Sequence, residues 1–178
     1  MDRFVEQIIA KKTEPRDAAM RIVLVMGGSL LAAAFALVAV LFLITYLFMF
    51  SIAAMWLTWF LLQGTYIEYE YIVTNDELDI DKIIARKKRK RLITIKISKA
   101  EEWGEYAAGK GESATVTVQA HDCGYKNLWY IVTHHQTHGK TAVLFSPNRA
   151  ILEAVNKAVP YGLRKKELKE EAAEAETE

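Results

Sequence analysis

From Ile22 to Leu62 the chain is almost continuously apolar, and no charged side chain occurs between residues 22 and 67. A hydrocarbon core about 30 Å thick takes about 20 helical residues. The 41 residues of the run are about two spans, which predicts two transmembrane helices joined by a tight turn. That turn falls between Leu43 and Ser51, where Thr45, Tyr46 and Ser51 are the only polar residues. Before the run, Phe4, Val5, Ile8 and Ile9 fall on one side of a short helix whose other side carries Arg3, Glu6 and Lys11, so residues 1–12 read as an amphipathic helix. Thr13, Glu14 and Pro15 then read as an N-cap with proline in the first turn of the first span.

After Gly64 the period changes from helical to alternating. In "YIEYEYIVT" (66–74) Ile67, Tyr69, Tyr71 and Val73 share one face, and Glu68 and Glu70 the other. Asn75-Asp76 is a turn pair, Leu78 and Ile80 alternate with Asp79 and Asp81, and Ile93, Ile95 and Ile97 alternate again. Further strands follow at 103–107, 114–120, 127–134 and 140–146, with turns at "GKGE" (109–112) and "HQTHG" (135–139). Ser146-Pro147 opens a helix with Ile151, Leu152, Val155 and Val159 on its apolar face, and Pro160 and Gly162 close it. Residues 163–178 hold helix formers without an apolar face and read as a charged tail, frayed or disordered.

Charge adds an orientation. Lys11, Lys12, Arg16 and Arg21 precede the first span, and Lys82 with the unbroken run Arg86, Lys87, Lys88, Arg89, Lys90, Arg91 follows the second. Basic residues favour the cytoplasmic side, so both termini are expected there and the protein is expected to be multi-pass in a bacterial cell membrane. A cleaved signal peptide does not fit, because the apolar run far exceeds the about 7–15 residues of such a segment. Along the first span Gly28, Ala32 and Ala36 recur every four residues, a spacing that admits a close neighbouring helix: the chain's own second span, or a second copy in a homo-oligomer. With 23 basic and 22 acidic residues there is no global pull toward nucleic acid, and none is expected as a partner. A single cysteine, Cys123, excludes an internal disulfide framework.

The segment "YEYIVTNDELDIDKIIARKKRKRLITIKI" resembles the first three strands of bacterial PH-like domains, and the strand order ending in one amphipathic helix is similar to theirs. The chain to about residue 160 also resembles a family of small bacterial membrane proteins of unknown function, a helical hairpin followed by a PH-like domain. The resemblance implies a membrane-anchored α+β architecture. It would comprise a transmembrane hairpin over 13–64, then over 65–162 a cytoplasmic PH-like half-barrel of about seven antiparallel strands capped by a C-terminal helix. It implies no catalytic activity.

Candidate chemistry is sparse. Asn75, Glu77, Asp79 and Asp81 alternate as calcium ligands do, but Ile80 stands where the loop needs glycine and the late bidentate Glu is missing. The alternation instead puts these carboxylates on a strand's solvent face. "HGKT" (138–141) lacks the first glycine of a phosphate loop and runs into a strand. His121, His134, His135 and His138, with Cys123, could hold Zn(II) or Cu(II), yet three histidines in one hairpin loop do not fix a tetrahedral site. No metal site, cofactor or catalytic residue is assigned, and an enzyme is not expected. The basic run remains: either a solvated hairpin tip beside a non-catalytic interaction or scaffold module with an unidentified protein partner, or a contact with anionic lipid headgroups of the membrane.

Overall fold

The computed structural model describes residues 4–107, 114–122, 127–165 and 168; the expected turn at 109–112, Cys123 and most of the charged tail lie outside them. Two compact units emerge. One comprises Thr13–Ile67 together with Ile84–Lys88, and the other holds the remaining described residues.

In the first unit, α1 (Pro15–Leu41) and α2 (Leu47–Gln63) are joined by residues 42–46. Gly28 meets Thr58, the Ser51 hydroxyl donates to the Ala32 carbonyl (2.9 Å), and Phe35 lies against Phe50. Partners descend along α2 as they ascend along α1, so the helices are antiparallel. A Cβ added at Gly28 would sit 1.9 Å from Thr58 Oγ1 and 2.8 Å from its Cβ, so glycine is what lets the backbones meet here. Helix α1 has 27 residues and is, among the described residues, the one helix long and apolar enough to cross a membrane by length and composition; α2, with 17, is shorter. At about 1.5 Å per residue they measure about 40 and 25 Å. Pro15 stands in the first turn as expected, but the N-cap is Glu14, and the Thr13 hydroxyl instead accepts from Arg21 Nη1 (3.2 Å).

The second unit contains two four-stranded sheets. The first runs in the order β1 (Phe4–Ala10), β2 (Ile67–Thr74), β3 (Glu77–Ile84), β4 (Lys88–Lys96). Segment 4–10 is therefore a strand, where the apolar spacing predicts a helix. Val5, Gln7 and Ile9 are half-buried and Phe4, Glu6, Ile8 and Ala10 exposed, a period of two. The pair of adjacent apolar doublets satisfies either period over seven residues, and pairing decided it: β1 lies antiparallel to β2 from Phe4 opposite Thr74 to Ala10 opposite Glu68. Strands paired in this register lie on either side of both helices in the chain.

The second sheet has the order β5 (Ala100–Glu105), β7 (Trp129–His135), β8 (Gly139–Phe145), β6 (Val116–Ala120). All seven expected strands are present, and β1 makes an eighth among the described residues. The expectation of antiparallel strands holds for β5–β7 and β7–β8, but β6 pairs parallel with β8. Directions alternate through β6, β7 and β8, so once β6 takes the free edge of β8 the two must run the same way.

The core lies between the inner faces, with Tyr71, Leu78, Ile80, Ile95, Ile131 and Phe145 fully buried. Tyr71 donates its hydroxyl to the Ala120 carbonyl and accepts from Ser146 N–H (3.3 Å), which links the two sheets. Helix α3 (Arg149–Ala158) contacts β1 and buries Ile151, Leu152 and Val155. Its N-cap is Asn148, whose Oδ1 accepts from Ile151 N–H (2.9 Å), rather than the Ser146-Pro147 pair. Gln7 of β1 holds the entry to α3, donating to the Ser146 carbonyl (3.2 Å) and accepting from Asn148 N–H (2.7 Å). Past α3, the buried Asn156 side chain donates to the Lys165 carbonyl (2.9 Å) and accepts from its N–H (2.8 Å), fixing the segment that follows.

Candidate membrane-proximal interface

The helical unit has an uneven charge distribution. Its ionised side chains are Arg16, Arg21, Arg86, Lys87 and Lys88 against Glu14 and Asp17, all outside the uncharged stretch 22–67. Along α1 and α2 only Ala32, Ala39 and Ala54 are buried, so the helices present an apolar surface almost all round. A helix that is apolar all round suits lipid or a protein interior.

Arg21 anchors the polar end of this unit. Its Nε and Nη2 donate to the Thr65 hydroxyl (2.9 Å) and carbonyl (3.2 Å), and its guanidinium lies 4.4 Å from the centre of the Tyr66 ring. The cation is thus satisfied without a carboxylate, and Tyr66 keeps an exposed ring where a chain leaves an apolar helix. Sequence reading did not single out this cluster. Its signal was the "GTY" directly after the second apolar run, which places two hydroxyls and one ring at the helix end.

The Tyr66 carbonyl also accepts from Ala85 N–H (2.9 Å), which brings the β3–β4 turn into the same unit. The turn is a two-residue hairpin connection, closed by Lys87 N–H to the Ile84 carbonyl (3.1 Å), with Ala85 at φ 55° and Arg86 at φ 56°. Positive φ at both central residues makes it type I′, whose twist matches a hairpin but which favours Asn and Gly. The basic run thus begins in this turn and continues into β4.

The structure divides that run. Arg86, Lys87 and Lys88 belong to the helical unit and are exposed. Arg89 reaches Glu70 of β2, Nη2 to Oε1 at 3.0 Å. Arg91 is bound to Asp81 through Nε and Nη2 (the latter 3.4 Å from Oδ2) and to Asp79 through Nη1 (2.8 Å). Hydrogen bonding to Asp81, foremost, strengthens Arg91's hold on its proton. Thr94 donates to Asp79 (2.6 Å) and completes the network. The carboxylates of β3 thus do not simply face solvent, as the alternation suggests: Asp81 is buried, and both aspartates hold Arg91. Lys87, Lys88 and Lys90 make no ion pair among the described residues.

Glu70 is the other departure from the expected solvent face. It has no exposed surface, and its oxygens have no well-aligned hydrogen-bond donor although Arg89 stands beside one of them. Burial, then contact with the Glu6 carboxyl, raises its pKa, and Arg89 opposes the shift.

Of the remaining candidates, Gly28 and Ala32 lie against α2 while Ala36 is half-buried, so the chain's own second helix occupies the small-residue face there. His135 and His138 stack at 5.0 Å. His134 and His135 line an open groove of about 320 Å³ with Lys96 and Lys99, cations that oppose a metal ion at those imidazoles. Among the described residues no group of three or more His, Cys, Asp or Glu side chains is placed to hold a metal.

Residues 1–165 match a protein family described as a bacterial PH-like domain (DUF6106). No curated protein and no solved structure matches the chain.

Proposed function

We propose that the chain, which belongs to the bacterial PH-like domain family, is an integral membrane protein that crosses the bacterial cell membrane twice and holds its sheets at the inner leaflet as a non-catalytic interaction module. The observation that carries this reading is the β1–β2 pairing. Strand β1 precedes α1 and β2 follows α2, so both flanks of the apolar helices lie on one side of any membrane and the crossings between them are even in number. The apolar stretch of α1 from Ile22 onward, which carries no charge, argues against none. Two remain, with the antiparallel α2 as the return. The basic flanks favour the cytoplasm for that side.

A second reading concerns what the module touches first. The turn that carries Arg86, Lys87 and Lys88 is grouped with the helices and bonded to Tyr66, directly past the end of α2. This supports contact between these three cations and anionic headgroups. At about 1 kcal/mol per cation near an anionic surface, three bias the turn toward lipid by about 3 kcal/mol. Nucleic acid is the less suitable polyanion for a chain tethered to a bilayer.

Both readings are open to one preparation, the full chain in nanodiscs. Cysteine accessibility at sites introduced near Gln7 and Gln63 in a Cys123→Ser background reads topology. Labelling from the same side is expected, and opposite sides would rule out two crossings. Hydrogen exchange of residues 84–92 is expected to slow in discs containing phosphatidylglycerol relative to phosphatidylcholine, and to recover at high salt. Equal exchange in both lipids would rule out headgroup contact.

A further inference from the structure

We infer that Glu70 is a proton-operated latch on Arg89, so that acidification adds a cation to the basic run and tightens its contact with anionic lipid. The inference rests on the headgroup reading above and names its regulation. It starts from a fully buried carboxyl on β2 with Arg89 of β4 beside it at 3.0 Å.

The surroundings of Glu70 decide how firmly the latch is set. Glu6 comes from β1, Asp81 from β3 and Arg89 from β4, while Ile8 is its direct cross-strand neighbour. Two further carboxyls therefore face Glu70 against one guanidinium, and Asp81 is already engaged by Arg91. Arg89 is not aligned as a hydrogen-bond donor to either Glu70 oxygen, so their attraction is that of two nearby charges. A proton competes well with such a contact, because a buried carboxyl beside another carboxyl favours its neutral form.

Arg91 supplies the contrast. It has two carboxylates and several aligned bonds to them, an arrangement that a single protonation does not undo. Of Arg89 and Arg91, it is Arg89 that is poised for release. Its side chain is already 60% exposed and follows Lys88 directly in β4, so most of it already meets solvent. When Glu70 takes up a proton, the carboxylate charge disappears and Arg89 keeps its own. The local charge beside the exposed lysines rises by one.

The test uses the full chain in nanodiscs with and without phosphatidylglycerol, with hydrogen exchange of residues 84–92 corrected for intrinsic pH effects. Infrared difference spectra read the Glu70 proton without reference to lipid. As the pH is lowered from about 8 toward the ordinary carboxyl value of 4.5 the lipid-dependent protection is expected to strengthen about fivefold, the equivalent of about 1 kcal/mol for one cation released from its carboxylate. Glu70→Gln is expected to give the strong, acidic-level protection at both pH values and to lose the titrating carboxyl band. Arg89→Gln is expected to remove the pH step while leaving the protection due to Arg86, Lys87 and Lys88. A pH step that survives in either variant, or a Glu70 carboxyl that takes up no proton in this range, overturns the latch. A titrating Glu70 band with no effect of phosphatidylglycerol at any pH overturns the headgroup reading, and the lipid half of the latch with it.

Discussion

Replacing the two central residues of the β3–β4 turn by glycine separates what the turn does for the fold from what it does for the surface. Ala85 and Arg86 both have φ near +55°, where an L-residue is strained by about 1–2 kcal/mol. Glycine removes that strain and gives back about 0.5–1 kcal/mol through its more flexible unfolded state. The net expectation is a stabilisation of about 0.5–1 kcal/mol at each position. In a chain of this size 1 kcal/mol moves Tm by about 2–4 °C. Ala85→Gly changes no charge, so Tm is expected to rise by about 1–4 °C with lipid-dependent protection unchanged. Arg86→Gly is expected to raise Tm similarly and to weaken headgroup contact about fivefold through the lost cation. Circular dichroism of the detergent-solubilised chain reads the first quantity, and exchange of residues 84–92 in nanodiscs the second. A lower Tm for Ala85→Gly would refute the turn assignment, and unchanged protection in Arg86→Gly would refute a role for that side chain at the headgroups.

Gly28→Ala is expected to weaken the α1–α2 contact by about 1–3 kcal/mol, as overpacking does, because the new Cβ would lie 2.8 Å from Thr58 Cβ; unfolding in dodecyl sulfate mixed micelles measures it, and Thr58→Gly should restore the loss. Glu70 gives a pH-dependent outcome. Its raised folded pKa means that the folded chain binds the proton more tightly than the unfolded one, so its stabilising contribution is full below the ordinary carboxyl value of 4.5 and is lost as pH rises through the folded value. Chemical denaturation at a series of pH values should therefore show Glu70→Gln gaining on the native chain as pH rises, and the opposite trend would contradict it. Asn156→Ala removes both bonds to Lys165 and is expected to cost about 1–3 kcal/mol; faster exchange at Lys165 would localise the loss.

The sequence was most legible where one face of an element is buried. Ile93, Ile95 and Ile97, or Tyr69, Tyr71 and Val73, alternate cleanly because they meet the core, and each is buried as that alternation implies. The apolar run was legible too, since its length and composition are read without regard to pairing partners. Strand β1 was not, because Phe-Val and Ile-Ile doublets suit a helix or a strand and its pairing partner lies beyond both helices. The parallel β6–β8 pair was equally hidden, since Val116 and Val118 alternate with Thr117 and Gln119 whichever way the neighbour runs. Within the basic run, sequence placed six like charges at a turn but could not divide them. Which arginine meets a carboxylate depends on cross-strand neighbours, and Glu70 and Asp81 acquire that role only once β2, β3 and β4 lie side by side.

The split of the first sheet around the helices imposes an order of events during synthesis. Strand β1 leaves the ribosome first, yet its partner begins only at Ile67. At about 5–20 residues per second, the intervening stretch of about 56 residues takes about 3–11 s to make. Throughout that interval β1 waits with a bare edge while the helices are made. Under the proposed two crossings, its pairing with β2 follows only when α2 has come back to the side that α1 left. Under that proposal, closure of the sheet acts as a check on membrane insertion: a chain that stops after one crossing strands β1 and β2 on opposite faces and cannot complete the first sheet.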